Sequence, residues 1–512
     1  MSRRGPQSIP VELAVALLLV SGALLAPGLL VGPSLDAAVF SHIGGHLLDS
    51  VVPYVGAWDH KPPGIYILSA VAQASLGWLG PWTADWLLSL GASAGLGLAV
   101  AAMLKRLDVS GFPRAAAAVG ATVFASQFLL ALGGGLTEAP AALLVALALI
   151  LAVGSGAAFR LAGIGALIGA GLLVSVQLVP AGAAVLLLSL ALRPGDRLRA
   201  SIAMGIGLVT PLAMVAAWLA VIGALPAGVD AVVGYSTAYR GSSGEYGAIL
   251  AAPVVAWTVL ASLFLVTPAL LGTLSLARIP SVQRAMAITT LAWVGLSLLV
   301  FVVQGRFYAH YAIPLAVPLG ILAGLGLHRT ADSWGRARSL GRRVLIGLPL
   351  AATLLLSLFA GIVSGAMQFT PVQDESARMD AVTARLRQLP RGTLLVWGNA
   401  PRLYDLAART PATRYSYLYP LTTPGYTTDA MIEDVARELD AAPPTVIVDA
   451  GSSAPGRPGF LPLLIDRPIA TDGRDLDLLD PLRSFVREHY DLAATVAGWP
   501  VYVLRNPEEP AA

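Results

Sequence analysis

Between Val11 and Met367 the chain is a succession of apolar runs, most of them near bilayer length, separated by short polar loops. A helix needs roughly 20 apolar residues to cross the hydrocarbon core, and in lipid every backbone polar group must be bonded internally. These runs confine the first three quarters of the chain to a bundle of membrane helices. Composition agrees, with 56% hydrophobic and 12% charged residues and a mean hydropathy of +0.73. Such a chain could not hide its apolar surface from water.

The runs predict eleven spans, at 11–31, 84–104, 115–132, 137–154, 160–176, 179–192, 199–222, 250–275, 284–303, 309–327 and 343–365. Residues 161–192 are too long for one crossing, and a hairpin turning at Gln177–Pro180 fits better. The N-terminal "MSRRGPQ" and the run behind it have no small-residue cleavage site, so they read as a first transmembrane helix. Residues 63–79 lie between Pro-Pro and "GP" and are expected at the interface or re-entrant. If they crossed, most arginines of the loops would face outward, against the positive-inside rule. With a cytoplasmic N-terminus, the inner loops hold Lys105, Arg106, Arg114, Arg160, Arg193, Arg197, Arg199, Arg278 and Arg284, and the basic "HRTADSWGRARSLGRR".

Of the 30 acids, 11 lie in residues 1–371 and 19 in residues 372–512. The expected division is therefore a membrane domain over 1–371, with a first outer loop at 32–83, and a water-exposed domain over 372–512. In the latter, "GTLLVWG" and "PTVIVDAG" read as buried strands and "TTDAMIEDVARELDAA" as an amphipathic helix. "LAATVAGWPVYVLR" reads as a closing hairpin, giving a small α/β domain outside the cytoplasm. Its segment "WGNAPRLYDLAARTPATRYSYLYPL" suits sugar stacking, although a lid packed on the membrane domain is the favoured reading. No phosphate-binding loop is present. The absence of cysteine excludes disulfides and thiol chemistry, and no basic run points to nucleic acid.

The polar chemistry collects on the outer side. "WDHKPPG", Trp58 to Gly64, sets three ionisable groups in a row and contains one of the chain's two lysines. Ionisable groups at a membrane are costly and suggest function. Asp36 follows the first span and reads either as the N-cap of an interfacial helix or as a functional acid. Lys61, before Pro62-Pro63, sits on a stiff extended backbone and suits a phosphate headgroup; snorkelling to lipid is the alternative. His42 and His46, at i and i+4, can present two imidazoles to a metal with Asp59 or His60 as a third ligand, or lie at an interface. No cofactor is expected; a divalent metal is left open but unsupported. Glu138 in "GGGLTEAP" starts a span, where it or Thr137 can cap the helix. "QGRFYAHYAIPLAVP" brings Arg306, His310 and Tyr311 together, either as oxyanion ligands or as an interfacial belt.

Asp36, "PY…WDHKPPG" with Tyr54, Asp59, His60 and Lys61, "TEAP" with Glu138, and "RFYAHYAIPLAVP" occur in an order, sidedness and spacing that resemble a known group. They resemble the polytopic glycosyltransferases of the GT-C fold, family 39 and its relatives, which include protein O-mannosyltransferases and lipid A aminoarabinose transferases. The resemblance spans about residues 10–365. It implies a sugar donor linked to a polyprenyl phosphate, an envelope acceptor, and transfer on the outer face with inversion. Asp36 matches the family's catalytic carboxylate and Lys61 its phosphate-contacting lysine. Arg306 and His310 fall where the family places further polar residues near that phosphate, with Tyr311 beside them. Tyr54, Asp59, His60 and Glu138 are further candidates for the substrate site. Where many members carry a second acid, Ala37 follows Asp36, which weakens any metal-dependent version. The expected location is the bacterial inner membrane. The main alternative is a secondary transporter or lipid-linked-sugar flippase. A transporter would set charges at mid-span within inverted repeats; here they crowd at the outer ends. A second alternative is an envelope-binding module without chemistry.

Overall fold

The computed structural model describes residues 9–154, 156–241, 246–274, 281–304, 307–337, 339–453, 461–464 and 477–505. It is a polytopic helical membrane protein with a small sheet near its C-terminus. The helices of the first half are α1 (Val11–Leu25), α2 (Pro27–Val31), α3 (Leu35–Leu48), α4 (Gly64–Leu76), α5 (Pro81–Arg106), α6 (Gly111–Ser126), α7 (Phe128–Ala131) and α8 (Glu138–Ala152). They continue as α9 (Ala158–Val174), α10 (Val179–Ala191), α11 (Arg197–Val221), α12 (Leu225–Val229), α13 (Ser236–Gly241), α14 (Tyr246–Thr273), α15 (Ser281–Gln304), α16 (Ala316–Arg336) and α17 (Leu340–Leu386).

Among the described residues, seven helical segments are long and apolar enough to cross a membrane, and shorter apolar helices fill the spaces between them. α5 and the segment ending in α16 are the most enclosed, and α11 and α17 turn most of their surface outward. The expected hairpin at 177–180 is a break at Ser175, in extended backbone, followed by a single 3₁₀ turn before α10. The expected span 115–132 is instead two helices, broken where Gln127 is extended. α4 is 13 residues long. At 1.5 Å per residue that is roughly 20 Å, short of the ~30 Å hydrocarbon core.

Two local features set up the outer end. α3 is capped by Ser34, whose hydroxyl accepts from the Ala37 N–H at 3.5 Å. The cap is therefore not Asp36, which stands in the first turn with its carboxylate available. Between α7 and α8, Leu132 to Gly135 all adopt left-handed or positive-φ backbone. A Cβ on Gly135 would meet Ala37 and the Trp82 ring, so this turn seats the start of α3 only because it is glycine.

α17 runs 47 residues, through Pro349 and Pro371, so the compositional boundary at 371/372 falls inside one continuous helix. It leads to β1 (Leu394–Trp397), α18 (Arg402–Ala407), α19 (Asp429–Ala441), β2 (Val446–Asp449), α20 (Asp480–His489), β3 (Tyr490–Val496) and β4 (Trp499–Leu504). The sheet order is β1-β2-β4-β3. β1 and β2 are parallel, with Leu394 opposite Val446, and the remaining pairings are antiparallel. β3 and β4 form the expected hairpin, turning at Ala497-Gly498, both at positive φ, as a two-residue type I′ turn requires. α19 is capped by Thr428, whose hydroxyl accepts from the Met431 N–H at 3.3 Å.

Candidate functional site

A cavity of about 290 Å³ opens where α3, the 53–63 loop, the helical turns after α12 and the 417–419 segment meet. Asp36, Asp59, His60, Lys61, His310 and Tyr311 all line it. Residues widely separated in sequence thus share one space.

The "WDHK" loop is held rigidly. The Tyr54 hydroxyl donates to the Lys61 carbonyl at 2.9 Å, and the Tyr66 hydroxyl lies 3.2 Å from the same oxygen. Tyr66 donates to Asp59 Oδ2 at 2.6 Å and Tyr417 donates to Asp59 Oδ1 at 2.6 Å. His60 Nδ1 lies 3.0 Å from that same Oδ1. Trp58 N–H donates to the Arg414 carbonyl at 2.9 Å. Burial alone would raise the Asp59 pKa, but His60 and the three hydrogen bonds outweigh it, so the carboxyl titrates well below the usual range.

Lys61 differs. Its ammonium makes no hydrogen bond or ion pair among the described residues, while its carbonyl takes two tyrosines. Burial works against its charge, but neighbouring Tyr311, Asp36, Glu138 and Asp59 outweigh that effect and hold it above the ordinary lysine range. It is a permanent cation on the cavity wall. The Asp36 carboxylate, on the same wall, likewise has no hydrogen-bonded partner among the described residues. The cavity therefore holds one carboxylate and one ammonium without a direct partner among the described residues.

The other candidates lie around this pair. His310 is buried between the ring of Tyr308, stacked at 5.5 Å, and that of Tyr311, edge-on at 4.7 Å. Its Nε2 is 4.0 Å from Glu138 Oε1. Glu138 is the first residue of α8 and lies behind the cavity wall, and Thr137 makes no side-chain cap. Tyr54 is also behind the wall, holding the loop and not facing the cavity. Arg306 lies outside the described residues. His42 and His46 point away toward α18, where His42 Nδ1 meets Asp405 Oδ1 at 3.0 Å and its ring stacks on Tyr404. Among the described residues no group of three or more metal-ligating side chains forms.

Sequence reasoning missed much of the aromatic lining. Tyr235 and Tyr239 stack at 5.5 Å over His60. They are four residues apart, from a π-helical turn (Asp230–Tyr235) into α13, and the "YSTAY" spacing was the available signal. Tyr308 joins them through its hydroxyl, 2.9 Å from that of Tyr239. Gln368 enters from α17, and Tyr417 and Tyr419 enter from the C-terminal segment. That segment is therefore a wall of the cavity. A second recess, about 70 Å³ and lined by Gln177, Ser236 and Arg240 among others, adjoins the first across His60, Lys61, Tyr239 and Tyr311.

No protein-family model and no curated protein sequence matches the chain. Solved structures do. The crystal structure of ArnT from Cupriavidus metallidurans in the apo state aligns over 96% of this chain and 97% of that one, at 15% identity and a TM-score of 0.57. The fold is that of the GT-C glycosyltransferases. The same protein bound to undecaprenyl phosphate aligns over 98% and 99% of the two chains, at 15% identity and a TM-score of 0.53. The GT-C likeness takes in the membrane helices and the C-terminal sheet alike.

Proposed function

We propose that this protein is an integral-membrane glycosyltransferase, moving a hexose or pentose from a polyprenyl-phosphate donor to an envelope lipid, glycan or protein. The observation that carries the reading is the shared cavity. It holds a carboxylate and an ammonium, neither with a direct partner among the described residues, inside a fold of glycosyltransferases. A protein of the same fold has been solved with undecaprenyl phosphate bound, which supports the same class of donor here.

The chemistry follows from those two charges. The acceptor hydroxyl attacks the anomeric carbon, its proton passes to Asp36, and the bond from that carbon to the phosphate oxygen breaks. Lys61, with the hydroxyl of Tyr311 and the ring of His310, stabilises the negative charge gathering on the departing polyprenyl phosphate. Attack opposite the leaving phosphate gives inversion, in line with the family resemblance.

Transfer belongs on the outer face of the bacterial inner membrane, with the N-terminus cytoplasmic and residues 372–512 outside. The cysteine-free chain makes this directly testable. Asp429→Cys, exposed on α19, should react with an impermeant maleimide in intact cells. Asp332→Cys, exposed on α16, should react only after permeabilisation. The reverse pattern would overturn the topology. The function itself is tested by sugar transfer in proteoliposomes, run beside a flip assay on the same vesicles. Donor translocation without transfer to any acceptor would favour a flippase.

A further inference from the structure

The C-terminal segment reaches the cation of the site through one carboxylate. Tyr417, from the far end of the chain, donates to Asp59 Oδ1 at 2.6 Å, and Tyr66 of α4 donates to Oδ2 at 2.6 Å. Asp59 stands two residues before Lys61, and Tyr66 and Tyr54 reach the Lys61 carbonyl. The Trp58 N–H to Arg414 carbonyl bond fixes the same loop from one residue further back. Asp59 is 2% exposed, and both its oxygens are taken up by protein donors. The cost of burying that carboxylate is offset only while all its donors are present. His60 is fixed too. With its Nδ1 on Asp59 at 3.0 Å, its Nε2 is the nitrogen left for the cavities, the same second-partner logic that sets the tautomer of ligating histidines.

We infer that Asp59 is a positioning residue, a carboxylate latch that ties Tyr417 of the C-terminal segment to the Lys61 loop, so that the phosphate site is complete only when that segment is docked. This rests on the reading of Lys61 as the donor-phosphate cation. Asp59 does not touch the reacting atoms. Both its acceptor oxygens are occupied by protein donors, which suits a fixed anchor and not a base. The C-terminal region thereby becomes part of donor recognition, although most of its residues lie well away from the cavity.

The test is a double-mutant cycle on donor binding with purified full-length protein. Undecaprenyl phosphate affinity would be titrated for wild type, Asp59→Asn, Tyr417→Phe, the double variant and Lys61→Ala, with melting temperature recorded for each. Tyr417→Phe removes one hydroxyl and is the variant least able to disturb folding. Asp59→Asn and Tyr417→Phe should each weaken binding roughly ten- to hundred-fold, as expected for losing a hydrogen bond to a charged group. The double variant should be no weaker than the worse single one. In transfer assays the donor KM should rise; loss of folded protein would lower only the maximal rate. If Lys61→Ala binds as tightly as wild type, the phosphate reading fails and the latch fails with it. If Lys61→Ala is weak while Tyr417→Phe binds normally, or the two latch variants add, the latch alone is overturned.

Discussion

Asp59 and Asp449 are both buried carboxylates, and their surroundings push them in opposite directions. Asp59 has His60 and two tyrosine hydroxyls to hold its charge. Asp449, at the end of β2, has the Ser452 hydroxyl at 2.8 Å and the Leu463 N–H at 2.9 Å, both on Oδ2, and no cation beside it among the described residues. Burial pushes its pKa up to about 6, against the pull of those hydrogen bonds. The unfolded chain would titrate near 4. The folded form therefore binds the extra proton between pH 4 and 6, so this group's contribution to stability is fully present below pH 4, is lost as pH rises from 4 to 6, and changes no further above that. A shift of about 2 units corresponds to about 3 kcal/mol. Asp449→Asn keeps one acceptor oxygen and places its amide where Oδ1 has no partner. It should raise the melting temperature at pH 8 and leave it unchanged near pH 4. An equal effect at both pH values would refute the assignment. Neither behaviour was readable from sequence, since the two tyrosine donors to Asp59 lie 7 and 358 positions away. Lys61 and Asp36 were readable because scarcity and placement mark a charge in an apolar chain.

Helix α9 lies against α11 along small residues. A Cβ on Gly165 would collide with the Met204 carbonyl, and one on Gly207 with the Ala162 carbonyl. Membrane helices gain little from hydrophobic burial against each other, so such close backbone approach supplies the packing. Gly165→Val should separate the pair, seen as loss of the monodisperse peak in size exclusion. Gly205→Ala, in α11 with open space around its Cα, should elute as wild type. A normal peak for Gly165→Val would refute the contact. At this scale the sequence was informative wherever long apolar runs meet loops, and the C-terminal strands, amphipathic helix and hairpin formed where alternation and turn residues placed them. It was silent where a helix continues through a change of composition, as α17 does past Pro371. It was silent too where a span is broken by one extended residue, as at Gln127. Both depend on packing partners far away in the chain.

In the whole molecule, the membrane bundle, the first outer loop and the C-terminal segment all contribute to one cavity. The bundle contributes His310 and Tyr311; the first outer loop contributes Asp36 and Lys61; and the C-terminal segment contributes Tyr417 and Tyr419. The order and sidedness of the polar motifs announced that convergence. The aromatic wall, from α13 and the C-terminal segment, did not, because tyrosines are equally common as interfacial anchors. On the proposed mechanism, sugar transfer occurs in this cavity with Asp36 as base. The most direct measurement is transfer from radiolabelled polyprenyl-phosphate sugar to envelope extract in proteoliposomes, comparing wild type with Asp36→Asn. The substitution keeps the side-chain size and leaves Lys61 in place, so donor binding should persist while the transfer rate falls about 10²- to 10⁴-fold. Transfer by Asp36→Asn at the wild-type rate would contradict the account.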